Sequence, residues 1–144
     1  MLPSEKDIAE IAEMLDMGFR CFFNLRSGEI KSIPDFNNMI YADRSMYEEE
    51  LEEIDENWDD YYVFEPMDSS TSFQIMVDFT ECVDNKSVQQ KLINGLNRPK
   101  PFSKFKWEID NAGTYRQQWF TFKNQAYKNW VKEKIADNIE VFIS

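Results

Sequence analysis

The strongest constraint on the fold is a change of hydrophobic period. Apolar residues recur at helical spacing along most of the 144 residues, and β-forming residues take over only around Arg26-Ser27-Gly28 and at Tyr61–Phe64. So little strand material cannot close a barrel or fill a sandwich, and the expected class is α+β, helix-rich. The expected order is an N-terminal helix and β-hairpin, an acidic spacer, then a C-terminal, mostly helical core. One domain spanning 1–144 accommodates this, with 1–47 as helix plus hairpin, 48–60 as spacer and 61–144 as helical core.

The local signals support that order. Ser4 and Asp7 form a capping box ahead of Ile8, Ile11, Ala12 and Leu15, and Gly18 supplies a stop. Phe19 to Ile33 reads as a hairpin whose Gly28 can take positive φ, and Pro34 ends it. Ser70 or Thr71 is expected to cap a helix bearing Phe73, Met76, Val77, Thr80 and Val83 on one stripe. A second helix follows, with Val88, Leu92, Ile93 and Leu96 inward and Gly95 near its end. Arg98-Pro99-Lys100-Pro101 reads as a stiff connector, and Phe102, Phe105 and Ile109 mark a short helix closed by Asn111-Ala112-Gly113. Trp119-Phe120-Thr121-Phe122 suits strand or helix, and helix is favoured. Tyr127, Trp130, Val131 and Ile135 define a terminal amphipathic helix, and Val141-Phe142-Ile143 a short tail that should pack.

Charge is strongly segregated. Lys86 to Lys134 holds eleven of the sixteen basic residues against three acids, whereas the remainder carries five basic and twenty-four acidic residues. Such a dipole points to recognition, because net charge speaks to partners more than to fold. Glu48 to Glu65 contains ten acids and no lysine or arginine. It reads first as a solvated face or linker, with a lid lying on the basic C-terminal half in the absence of a partner as the alternative, and Leu51, Ile54 and Trp58 allow a helix with one weakly apolar side. A calcium loop at Asp55-x-Asn57-x-Asp59 is ruled out, since Asp60 stands where the loop needs glycine and Pro66 where it needs glutamate.

Several chemistries are excluded by composition. There is no histidine, so Ser–His and Cys–His nucleophile systems cannot be built. Ser103-x-x-Lys106 lacks the accompanying elements of a serine–lysine enzyme. The four glycines, Gly18, Gly28, Gly95 and Gly113, are scattered, so no phosphate-cradling loop is present. Cys21 and Cys82 lack metal or redox spacing and read as reduced, mostly buried thiols. Asn85-Lys86-Ser87 spells a glycosylation acceptor that matters only after export. No apolar stretch approaches 18 residues, and Met1–Asp7 lacks the apolar run of a secretory signal, so the expected address is the cytosol, without membrane contact.

The remaining candidate surface is basic and aromatic. Arg98, Lys100, Lys104, Lys106, Arg116 and Lys123 interleave with Trp107 and Tyr115, a pattern that suits an anionic partner such as an acidic protein or single-stranded nucleic acid. Beneath it, Phe102, Phe105, Trp119, Phe120 and Trp130 are expected to form core. The expected function is a non-enzymatic binding or adaptor module, with no cofactor, metal or catalytic residue assigned. The alternative is a carboxylate-based metal-dependent hydrolase drawing on Asp78, Glu81 and Asp84, which are spaced three apart on one helix face.

Pro101-Phe102-x-x-Phe105-Lys106, Tyr115-Arg116-x-x-Trp119-Phe120-x-Phe122-Lys123 and Trp130-Val131-Lys132 resemble the C-terminal signature of uncharacterised protein family 0158 of the UPF series. The Gly28-Glu29 turn, the acidic spacer and Tyr62-Val63 match its order of parts. The resemblance implies a bacterial cytosolic protein and supplies no reaction. Where many members have a glycine-rich approach to the phenylalanine, this chain has Arg98-Pro99-Lys100-Pro101.

Overall fold

A computed structural model describes residues 1–39 and 41–144. The fold is α+β and helix-rich, with one small antiparallel sheet. Two compact units are present: Met1–Pro66 with Tyr127–Ser144, and Met67–Ala126.

In the first unit, helix α1 (Glu5–Asp16) starts at the expected capping box, in which Ser4 Oγ accepts from Asp7 N and Asp7 accepts from Ser4 N. Strands β1 (Phe19–Asn24) and β2 (Ile30–Pro34) form the hairpin, with Gly28 at φ +78° in its turn. Strand β3 (Tyr61–Phe64) pairs with the other side of β1, giving the order β2-β1-β3. Three consecutive residues of β1, Cys21, Phe22 and Phe23, are buried, which requires cover on both faces of the sheet because neighbours along a strand point opposite ways. Phe22 packs with Ile33, Tyr61 and Ile54, and Ile54 belongs to helix α2 (Glu48–Glu56). On the opposite face the Cys21 thiol meets the Ile11 carbonyl of α1, and the Phe23, Tyr62 and Phe64 rings gather on Phe142.

The acidic run is therefore ordered where α2 forms, on the weakly apolar side that its sequence allowed. Ile54 is buried and Leu51 half-buried, while Trp58 stays 55% exposed in a short 3-10 turn, Trp58–Asp60. Most of the glutamates turn outward, while Glu53 faces the sheet and accepts from the Tyr61 hydroxyl.

In the second unit, helices α3 (Ser69–Glu81), α4 (Lys86–Leu96) and α5 (Pro101–Asp110) precede the start of helix α6 (Tyr115–Asp137). The cap of α3 is Asp68 rather than Ser70 or Thr71. Its carboxylate accepts from Thr71 N at 3.0 Å and from both downstream hydroxyls at 2.7 Å, and these three donors hold its pKa down at about 2. The buried stripe of α3 is correspondingly Ile75, Met76, Phe79 and Thr80, with Phe73 and Val77 only half-buried. Asn85 caps α4 by accepting from Val88 N, so the apparent glycosylation acceptor has a structural task. Gly95 packs closely on α5: a Cβ there would lie 3.4 Å from the Lys104 carbonyl carbon and oxygen.

Several expectations about packing need correction. Phe105 and Trp119 are buried edge-on to one another at 4.9 Å, but Phe102 is 44% exposed and reaches only the edge of Phe73. Phe120 and Trp130 are half-buried beneath cationic side chains. Cys82 is exposed, and only Cys21 is a buried thiol. Trp119–Phe122 is helical, inside one continuous 23-residue helix where the sequence suggested two segments. Helix α7 (Ile139–Ile143) follows, burying Phe142 while Val141 and Ile143 remain exposed.

Candidate functional site: the basic and aromatic surface of the helical unit

All eight candidate residues, Arg98, Lys100, Lys104, Lys106, Trp107, Tyr115, Arg116 and Lys123, belong to the Met67–Ala126 unit. That unit carries eight basic and six acidic side chains, against eight and twenty-one in the other. The geometry gathers the eight into two groups.

The first group surrounds Asp110. Lys106 Nζ donates to Asp110 at 2.9 Å and Arg116 Nε donates to it at 3.1 Å, and the two cations hold this carboxyl below the usual carboxylate range. Arg116 also lies 4.8 Å from the Phe120 ring centroid, and Lys123 lies 5.3 Å from the same ring and 5.9 Å from Trp119. Nearby in sequence, Tyr115 donates its hydroxyl to Asp84, and that bond pushes the phenol pKa up. These residues are bound up in local pairs, so two cations here share one carboxylate.

The second group follows the opposite flank of α5. Lys104 and Lys106 are two residues apart and so lie about 160° from one another around the helix, with the buried Phe105 on the longer arc of about 200°. Lys104, Trp107, Glu108 and Asn111 share a face by their three- and four-residue spacing. Arg98, Lys100 and Lys104 are exposed and have no ion pair among the described residues. Lys100 adopts the left-handed region at φ +58°, directly before Pro101 at the first position of α5. An L-residue there is sterically costly, and the preceding-proline position already disfavours helical backbone. The turn is thus set by the Pro-Lys-Pro sequence and not by glycine.

Trp107 is 63% exposed and borders a concavity of about 260 Å³ between α4 and the end of α5. Val88, Lys91 and Leu92 form one wall, and Trp107, Glu108, Asn111 and Ala112 the other. Sequence reasoning identified Trp107 but missed Lys91, Glu108 and Asn111. The available signal was Gly95, whose lack of a side chain inside a helix marks close helix approach and brings the first half of α4 beside the second half of α5.

The carboxylates proposed for metal chemistry have separate attachments: Asp78 accepts from Gln74 at 2.8 Å, and Asp84 takes the Tyr115 hydroxyl. Among the described residues, no three His, Cys, Asp or Glu side chains converge in a way that could hold a metal ion. Among the same residues, no helix is long and apolar enough to cross a membrane.

Comparison with known proteins agrees with the sequence signature. Over 140 residues the chain is 27% identical to a UPF0158 protein of Pseudomonas aeruginosa, an alignment covering 96% of this chain and 86% of that one. No solved structure matches. The model of uncharacterised protein family UPF0158 matches residues 25–143, and the chain belongs to that family.

Proposed function

We propose that this chain is a non-enzymatic binding module of the bacterial cytosol, whose Met67–Ala126 unit presents a basic and aromatic face to an anionic partner. The observation that carries this reading is the exposure of Arg98, Lys100 and Lys104, without ion pairs among the described residues, with the exposed ring of Trp107 one turn after Lys104 on α5. A cation without a carboxylate is available to an external anion, and three such cations fall within the seven residues from Arg98 to Lys104. The Asp110 group contributes less, because one carboxylate already answers two of its cations.

The test is binding to labelled polyphosphate across a salt series. The logarithm of the affinity should fall linearly with the logarithm of salt concentration, as counterion release requires. Lys104→Glu should weaken binding more than Arg116→Glu, with both variants folded by circular dichroism. Binding that ignores salt, or no binding to any polyanion, overturns the reading.

A further inference from the structure

The concavity beside Trp107 combines features that a simple anion site does not need. A phosphate or carboxylate is served by cations and N–H donors alone. Here a largely exposed indole, apolar walls from Val88, Leu92 and Ala112, and two acceptors accompany the cation Lys91. At about 260 Å³ the space falls just below the roughly 300–1,000 Å³ of pockets for drug-sized ligands, which suits one planar ring system.

The polar groups have a defined sense. Asn111 Nδ2 donates to the Trp107 carbonyl at 2.8 Å, which leaves its Oδ1 as the acceptor that can face the space. The Glu108 carboxylate is an acceptor only. Two acceptors beside a stacking surface select a ring that carries N–H donors on its edge. Lys91 stands in the wall, and Lys104 lies one turn before Trp107 on the same face of α5, toward the start of that helix. Arg98 and Lys100 extend the positive charge past the N-terminus of α5.

We infer that this concavity is a base-binding subsite for single-stranded nucleic acid, in which an amine-bearing base stacks on Trp107, donates to Glu108 and Asn111, and places its flanking phosphates near Lys91 and Lys104. The inference rests on the anionic-partner reading above and names the partner's class. A single strand is required because a base inside a duplex has no free face to offer the indole. An acidic peptide meets the cations but has no planar ring with amine donors for the acceptor pair.

The experiment uses the full chain and fluorescein-labelled 12-mers of adenosine and of uridine, in ribose and deoxyribose forms, with inorganic polyphosphate of equal charge and poly-glutamate as competitors. Adenine carries an exocyclic amine and uracil none, so adenosine 12-mers should bind about tenfold more tightly than uridine 12-mers, the value of one hydrogen bond to a charged acceptor. Adenosine 12-mers should quench tryptophan fluorescence, and Trp107→Leu should abolish that quenching and weaken binding by about 5- to 150-fold. Glu108→Ala should erase the adenosine preference while leaving uridine binding unchanged, a readout that loss of folding cannot imitate. Lys91→Gln should lower the salt slope by about 0.7. If polyphosphate binds as tightly as the adenosine 12-mer and Trp107→Leu changes nothing, the base subsite is overturned and the basic-face reading stands. Tighter binding of poly-glutamate than of either 12-mer also overturns it, in favour of an acidic protein. If no polyanion binds, both readings fail.

Discussion

The two units of this chain pair their positive charges to different extents. In the sheet-containing unit, Arg20 bonds Glu65 through both Nε and a terminal nitrogen, Arg26 meets Asp60 at 2.9 Å, Lys31 lies between Glu29 and Glu53, and Lys132 meets Glu5 at 3.3 Å. Four of its eight cations tie separate elements together: Arg20 of the first strand meets Glu65 just after the third, and Lys31 ties an edge strand to α2. In the helical unit the acids are fewer, one of them serves two cations, and Arg98, Lys100 and Lys104 are left over. The lesson is that net charge does not tell which cations a fold leaves without a carboxylate. The unit with the large charge excess pairs four of its eight cations across separate elements, and the nearly neutral unit places Lys106 and Arg116 on a single carboxylate.

The sharpest way to break this contrast is chemical, because each unit carries one thiol. Burial pushes the Cys21 thiol up to about 11 from 9.0, which cuts its thiolate about a hundredfold, and its buried position blocks reagent as well. Cys82 is exposed. Native protein treated with Ellman's reagent should release one equivalent promptly and the second only under denaturant. Two prompt equivalents would mean that the sheet unit is far looser than its packing implies.

Core truncation comes next. Phe142→Ala removes the ring on which Phe23, Tyr62 and Phe64 converge and should cost about 3–5 kcal/mol by urea unfolding. In the helical unit the corresponding lever is Gly95, where Gly95→Val should cost about 1–3 kcal/mol by overpacking against the Lys104 backbone. Gly95→Ala should be close to neutral, since the gain in helix propensity of about 1 kcal/mol offsets a tight contact. A neutral valine would show that α4 and α5 separate easily and would weaken the concavity they form.

The smallest effect is a matter of pH. Asp68 has a depressed folded pKa of about 2 against an ordinary 3.8, so its contribution is complete above the ordinary value and is lost as pH falls through about 2. Thermal unfolding followed from pH 5 to pH 2 should therefore show a decline in wild type that is shallower in Asp68→Asn. Equal slopes would remove the carboxylate from the cap.

Much of the sheet unit was legible because its signals are local. The Ser4–Asp7 box and the glycine in the hairpin turn act within a few residues, and both behave as their spacing implies. The helical unit was harder to read. Three adjacent side chains, Asp68, Ser70 and Thr71, compete for one cap, and the carboxylate wins by accepting from the other two hydroxyls as well as from the backbone. Helix α6 hid its length because its buried side chains do not keep to one stripe: Trp119 serves one core, and Tyr127, Val131 and Ile135 serve another. Phe102 was misread because helix spacing alone cannot distinguish a first-turn residue on the rim from Phe105 one turn further in. The candidate site was legible as composition and not as grouping, since the side on which Lys104 and Lys106 fall depends on which face α5 buries.

The sheet has consequences for how safely this protein can be crowded. Three strands in the order β2-β1-β3 leave two open edges, each an invitation to pair with a neighbouring molecule. One edge ends in Pro34, which has no N–H to give, and carries Lys31 locked between two glutamates. The other is only four residues long. Both borders are thus poor templates for fibril growth, and a substitution such as Pro34→Val would lengthen the one best placed to seed it.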